Sequence, residues 1–354
     1  MDVSIIGAGG DVGRQIATQL IAKNVVAPSQ RLQLVGRAEG KSAQSLYGLR
    51  ADLLDAYAET SPEIDVALHP HETTADIIIM TAGATVPVDP SKAMGRAELG
   101  KINKPLFETY ARAIANHGHG DEIIIIVSNP VELGVEVFSR HLGRERVIGI
   151  GAYQDSLRFR REIASDLGVR RQRVNGFVLG EHGDNMYPLW NSVQVYGMDD
   201  EETSNMVQRL SQGRNYDDFR IDVMAARQEL VKLLSEGKTS EAFTLVYRLP
   251  PDLRTMLVPF MTYISGAKTS IATANVVVDL VHTINEGREA LVAGQVSLRG
   301  ECFDMDTVMG MPILIGQRGW TQIVKPKMDD RDLVYLKQIA AGIAQRIEEW
   351  YRDE

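Results

Sequence analysis

The stretch LGEHGDNMYPL, residues 179–189, sets one histidine, His182, between a glutamate and a glycine, with an aspartate two residues on. It has neither the alternation of a strand nor the apolar stripe of a helix. An imidazole changes charge near neutral pH, so a histidine here either decorates a surface loop or moves a proton. A second chemical feature opens the chain. Gly7, Gly10 and Gly13 form a G-x-x-G-x-x-G turn between the apolar run VSII and the segment DVGRQIATQLIAK. Glycines there let the backbone approach a pyrophosphate, and the following helix offers N–H donors and the positive end of its dipole. Gly7, Gly10, Asp11, Val12 and Gly13 are candidate dinucleotide-binding residues; the alternative is an ordinary tight turn. A third feature is Arg37. The second strand of an NAD-binding unit usually ends in an acid that bonds the ribose 2′-hydroxyl. Here LVGRAEG places Arg37 there, with Lys41 and Ser42 close by. A guanidinium favours the 2′-phosphate of NADP, so NADP is expected over NAD, with dual use open. The plainer reading of Arg37 is a solvated loop residue.

These residues need elements to hold them. VSII, RLQLV, ADIIIM and DEIIIIV read as buried strands, and the segments between them carry helical spacing. Continuous apolar strands alternating with helices indicate a doubly wound α/β arrangement, a parallel sheet covered on both faces. Ligands of such sheets sit outside the carboxyl ends of the strands. Those ends are Gly7-Ala8-Gly9-Gly10, Gly36-Arg37, Thr81-Ala82-Gly83 and Ser128-Asn129-Pro130. After about residue 150 the pattern changes. YQDSLRFRREIASDLGV reads as a helix, and RVNGFVLGEHGD with YPLWNSVQVYG as antiparallel strands around His182. The expected division is a dinucleotide-binding domain over 1–151 and a mixed α+β substrate domain over 152–354.

Bulk properties exclude several classes. A net charge of −9 argues against nucleic acid as the main partner. The single cysteine, Cys302, leaves no internal disulfide and no cysteine zinc cluster, which fits a reducing cytoplasm. The first apolar run is too short for a signal or membrane segment. The histidines are scattered along the sequence, and no metal site is expected.

Six ordered stretches, IIGAGGDVG, GRAELGKIN, VSNPVE, DSLRFR, LGEHGDNMYPL and GMPILIGQRGWTQIV, resemble the lactate/malate dehydrogenase family, and most of all its archaeal-type malate dehydrogenases. The resemblance spans nearly the whole chain except about 211–260. It implies a Rossmann-type first domain and NAD(P)-dependent interconversion of a 2-hydroxy acid and its 2-keto acid, malate and oxaloacetate foremost. It implies that His182 is the proton donor and acceptor and that Asp155 fixes and charges the imidazole. Arg158 becomes the clamp on the substrate carboxylate, and Arg96 the loop arginine that polarises the carbonyl. Asn129 contacts substrate, with its backbone and Val127 beside the cofactor; the Asn129–Pro130 bond is a candidate cis peptide. Asn103 contacts the cofactor, and Thr269 lines the substrate pocket. The resemblance also implies a homodimer or homotetramer.

Two departures stand out. The family's malate enzymes carry an arginine six residues before the loop arginine, and here Pro90 occupies that place. Lys92 is the candidate substitute for neutralising a second carboxylate. Without one, the substrate is lactate or another 2-hydroxy acid. Residues about 211–260 are longer than the family's link and read as extra helix broken at Pro250-Pro251. They are either added packing or a subunit contact, the favoured reading, or a lid element. A reading of another class is a catalytically idle nucleotide sensor on the same fold.

Overall fold

The computed structural model describes residues 1–85 and 95–352. Lys92 and Pro90 lie outside the described residues. In chain order the first elements are β1 (Val3–Ile6), α1 (Asp11–Ala22), β2 (Arg31–Val35), α2 (Ser42–Ala56), β3 (Glu63–Ala67) and β4 (Ile77–Met80). Next come α3 (Arg96–His117), β5 (Ile123–Ile126), α4 (Val131–Leu142), β6 (Val147–Gly149), α5 (Gly151–Leu167), β7 (Val174–Gly180) and β8 (Met186–Val195). Four helices follow: α6 (Asp200–Ser211), α7 (Tyr216–Ser235), α8 (Thr239–Tyr247) and α9 (Pro251–Ile264). The chain then runs through α10 (Ser270–Asn285), β9 (Ala290–Ser297), β10 (Val308–Gly316), β11 (Gly319–Ile323) and α11 (Asp330–Arg352).

Two compact units emerge. The first comprises 1–151, 270–324 and 340–354; the second comprises 152–269 and 325–339. In the first unit the parallel strands are ordered β3-β2-β1-β4-β5-β6. Val3 pairs with Leu32 on one side and Ile77 on the other, and Ile77 pairs with Ile123. The runs IIIM and IIII are buried along their whole length, as strands covered on both faces must be. The chain moves outward from β1 to β3, then returns to β4 on the other side of β1. That reversal is the switch point where open α/β sheets bind ligands, and the loops after β1 and β4 lie there.

The 152–354 stretch expected as one domain contributes to both units. β9 joins β6 antiparallel through Gly149 and Gln295, β10 joins β9, and β11 joins β10, so these late strands extend the first unit's sheet. Their apolar residues, among them Ala293, Val296, Met309 and Ile313, are buried.

The second unit is built on the β7–β8 hairpin, antiparallel from Val174↔Val195 to Gly180↔Met186, as the sequence suggested. The stretch of about 211–260, expected to be helical, holds α7, α8 and most of α9. Asn215 caps α7 by accepting from the Asp218 amide, and the Pro250-Pro251 break becomes the start of α9.

Candidate active site

The glycine turn lies at the end of β1 in the first unit. Gly7 has φ +88°, and a Cβ on it would come within 2.7 Å of the Ala82 amide nitrogen. A Cβ on Gly13 would lie 2.5 Å from the Gly7 carbonyl oxygen. Only glycine fits both places, and the turn is closed by the Gly10 amide donating to that same carbonyl at 3.0 Å. Gly10 is the N-cap of α1 and brings no side chain to the helix end, so Asp11, Val12 and Gly13 open the helix without a side-chain cap. This is the donor set that a phosphate requires.

Arg37 follows β2. Its amide donates to Ser42 Oγ at 3.1 Å, which folds the loop back onto the start of α2. Its guanidinium is exposed and forms no hydrogen bond or ion pair among the described residues. Sequence reading passed over Arg14. Its Nε donates to the Gly9 carbonyl at 2.9 Å and its Nη2 to Ser45 Oγ at 2.5 Å, bracing the turn against α2. An arginine one turn into the helix that follows the glycine turn was the available signal.

Asn103 and Asn129 meet at the ends of β4 and β5. The Asn103 side chain accepts from the Ala84 amide at 2.7 Å and donates to the carbonyls of Ala84 at 3.0 Å and Asn129 at 2.7 Å. It is buried and pins two ligand-side loops together. The Asn129–Pro130 peptide is cis, and Asn129 itself is exposed. The Val127 amide donates to Met80 at 3.0 Å, holding the start of that loop against β4. Arg96 opens α3 and lies 3.5 Å from the carboxylate of Glu132, which is almost fully buried at the start of α4. Glu132 stands in the VSNPVE stretch, three residues after Asn129, and sequence reading gave it no role.

The second unit brings three predicted residues into direct contact. Asp155 and Arg158 stand one turn apart on α5, and Arg158 Nη1 donates to Asp155 Oδ1 at 2.9 Å. His182 Nδ1 lies 2.7 Å from the other oxygen, Asp155 Oδ2. Helix α5 is registered on β7 by Ser156, whose Oγ accepts from the Val178 amide at 2.8 Å, and by Arg160, whose Nε donates to the Gly176 carbonyl at 2.8 Å. The His182 turn is bounded by Gly180 at φ +82° and Gly183 at φ +135°. A Cβ on Gly180 would approach the Asn185 carbonyl oxygen to 2.9 Å, so the turn's tightness depends on glycine. From just beyond it, Asn185 Nδ2 donates back to the buried Glu181 carboxylate at 2.6 Å. Thr269 stands just before α10 and is half-buried.

Burial pushes the Asp155 carboxyl up, but His182 and Arg158 outweigh it and hold the group below the usual carboxylate range. Asp155 is therefore ionised at neutral pH and can only accept hydrogen bonds. Nδ1 of His182 must carry the hydrogen between them, which leaves Nε2 without a hydrogen in the neutral ring. Burial outweighs Asp155 at Arg158 and lowers its pKa, though a guanidinium stays charged at neutral pH. Its remaining nitrogens form no other hydrogen bond among the described residues. The trio can exchange a proton beside a fixed positive charge. Among the described residues no cluster of acids, histidines and cysteine is placed to hold a metal ion, and no helix is long and apolar enough to cross a membrane.

Two family models match the chain: "lactate/malate dehydrogenase, NAD binding domain" over residues 1–149 and "lactate/malate dehydrogenase, alpha/beta C-terminal domain" over residues 154–243. An L-2-hydroxycarboxylate dehydrogenase (NAD(P)(+)) of Methanocaldococcus jannaschii is 28% identical, with 99% of each chain covered. A malate dehydrogenase of Methanococcus maripaludis is 27% identical, covering 98% of this chain and 99% of the relative. Among solved structures, malate dehydrogenase from Aeropyrum pernix matches with a TM-score of 0.73 at 23% identity, covering 98% of this chain and 97% of that one.

Proposed function

We propose, for a chain that belongs to the lactate/malate dehydrogenase family, that it interconverts a 2-hydroxy acid and its 2-keto acid with a nicotinamide cofactor, the acid being malate. The observation that carries this reading is the Asp155 carboxylate shared between His182 and Arg158 at 2.7 and 2.9 Å. A nucleotide sensor has no need of a proton relay set beside an anion clamp.

Nε2 of His182 takes the hydroxyl proton during oxidation and returns it during reduction. Asp155 keeps the imidazole in one tautomer and stabilises its charged form. Arg158 receives the substrate carboxylate on the guanidinium edge that Asp155 does not use. Arg96 polarises the carbonyl, with Glu132 orienting its guanidinium. Asn129 orients substrate, and Thr269 lines the pocket. Gly7, Gly10, Asp11, Val12 and Gly13 hold the cofactor pyrophosphate. Asn103, Val127 and the Asn129 backbone contact the cofactor, and Arg37 receives a 2′-phosphate, so NADP is the favoured form. When bound, the nicotinamide supplies or accepts the hydride. Residues 1–151 carry the dinucleotide, and the protein works in the cytoplasm as a homodimer or homotetramer.

A second reading rests on Pro90, which replaces the arginine expected to select a second carboxylate. If Lys92 does not substitute for it, the substrate is lactate or another 2-hydroxy acid. Initial rates of NADPH and NADH oxidation with oxaloacetate, and with pyruvate in parallel, decide between the readings. Fast oxaloacetate turnover favouring NADPH is expected, with Arg37→Asp moving the preference about tenfold towards NADH. Turnover of pyruvate alone would remove malate from the proposal, and an unchanged cofactor ratio in the variant would remove Arg37.

A further inference from the structure

Helices α7 and α9 contact both the helix and the loop that carry the Asp155–His182 pair. Arg254 on α9 is buried beside α5, the helix that bears Asp155 and Arg158. Its Nε donates to Glu162 at 2.7 Å, its Nη2 to Asp166 at 2.6 Å, and its Nη1 to the Leu249 carbonyl at 2.6 Å. Arg227 on α7 reaches the turn that bears His182: its Nη2 lies 2.8 Å from Asp184, two residues beyond the imidazole. The Arg227 guanidinium also lies over the Phe260 ring of α9, 5.2 Å from its centroid. One helix pair, packed on itself, therefore grips the helix and the turn whose separation sets the 2.7 Å His182–Asp155 contact. Arg227 adds to the local bonds that close the turn, among them Asn185 Nδ2 to Glu181 at 2.6 Å and the Met186 amide to the Gly183 carbonyl at 3.1 Å. The turn runs between two glycines in the left-handed region, Gly180 and Gly183, which restrict the backbone little.

We propose that residues 216–264 form a clamp that sets the geometry of the proton relay, with Arg227 as its positioning residue on the His182 turn. The inference rests on the dehydrogenase reading for its activity test. It gives α7 and α9, which the relay does not use directly, a part in its geometry. The pair is part-exposed, Arg227 at 30% and Asp184 at 70% of the side chain, so its effect is bounded. An ion pair of that exposure changes a rate by about fivefold at most.

The test is steady-state kinetics of Arg227→Ala, Arg227→Lys, Asp184→Asn and the double variant Arg227→Ala/Asp184→Asn, each with its thermal midpoint. In Arg227→Ala, kcat should fall about three- to fivefold with cofactor KM and Tm unchanged. Arg227→Lys should recover most of the loss, Asp184→Asn should copy it, and the double variant should lose no more than either single one. A wild-type kcat in Arg227→Ala overturns the clamp, as does a loss that follows Tm and that lysine does not rescue. If the unaltered chain reduces no 2-keto acid, the dehydrogenase reading fails by itself. The clamp is then read from the His182 ring resonances in ¹H–¹⁵N spectra. They should shift in Arg227→Ala and return in Arg227→Lys; unshifted resonances overturn it.

Discussion

The glycine turn after β1 and the His182 turn after β7 are both short loops bounded by glycine, yet they are built in opposite ways. In the proposed function, the first keeps its working atoms in the backbone. Gly7, Gly10 and Gly13 contact one another within seven consecutive residues, and the helix that presents the N–H groups begins inside the same stretch. The second puts its working atom at the end of a side chain. The partner that gives His182 its tautomer is 27 residues earlier, on α5. The partner that braces its turn, Arg227, comes from a later helix. A backbone site is a local object, written in small residues at fixed spacing. A side-chain relay is a tertiary object, and each of its contacts depends on the packing of elements distant in sequence.

That contrast breaks or sharpens by substitution, and the largest effect belongs to His182. His182→Asn should lower turnover about a thousandfold, the loss of a general acid–base, while leaving NADPH affinity unchanged. Turnover comes from stopped-flow reduction and affinity from a fluorescence titration. A parallel loss of affinity would show that the two turns are not functionally separate.

Asp155→Asn is next. It leaves the Arg158 charge without its anion and should cost about 3 kcal/mol in urea unfolding. It also carries a pH signature. The native carboxyl is held below its ordinary range, so the unfolded chain takes up protons first as pH falls. The stability that Asp155 contributes is therefore complete above the unfolded carboxylate pKa of about 3.9 and is lost as pH falls through the lower native value. Urea midpoints from pH 6 down to pH 3 should decline more steeply in the wild type than in Asp155→Asn. Parallel slopes would mean that the carboxylate is not the stabilised form.

Gly13→Ala should cost about 2 kcal/mol, because its Cβ would have to displace the Gly7 carbonyl. This variant should lose cofactor affinity and keep the wild-type pH slope between pH 6 and pH 3. A changed slope would tie the two turns together and dissolve the contrast.

Much of this was legible beforehand. The runs IIIM and IIII announced a sheet buried on both faces, and Asp155, Arg158 and His182, which the structure brings together, were singled out from DSLRFR and LGEHGD. Asn103 was named from resemblance as a cofactor contact; what only packing shows is that its side chain also bonds three backbone groups of the neighbouring loops. Glu132 was not legible, since an acid at a helix start is usually a solvated dipole partner. Its burial against Arg96 follows from how α3 and α4 pack.

What the sequence determined alone is what nearest neighbours in the chain determine. Glycine spacing, buried strand runs, the Pro250-Pro251 break and the Asp155–Arg158 spacing are properties of consecutive residues, governed by backbone freedom and helix period. Tertiary structure decided everything that requires two distant elements to agree. It returned β9 to β11 to the first unit's sheet, buried Glu132 beside Arg96, and set α7 and α9 around the relay. Burial is the physical reason. The energy of a charge depends on which partners replace its lost water, and those partners are chosen by packing.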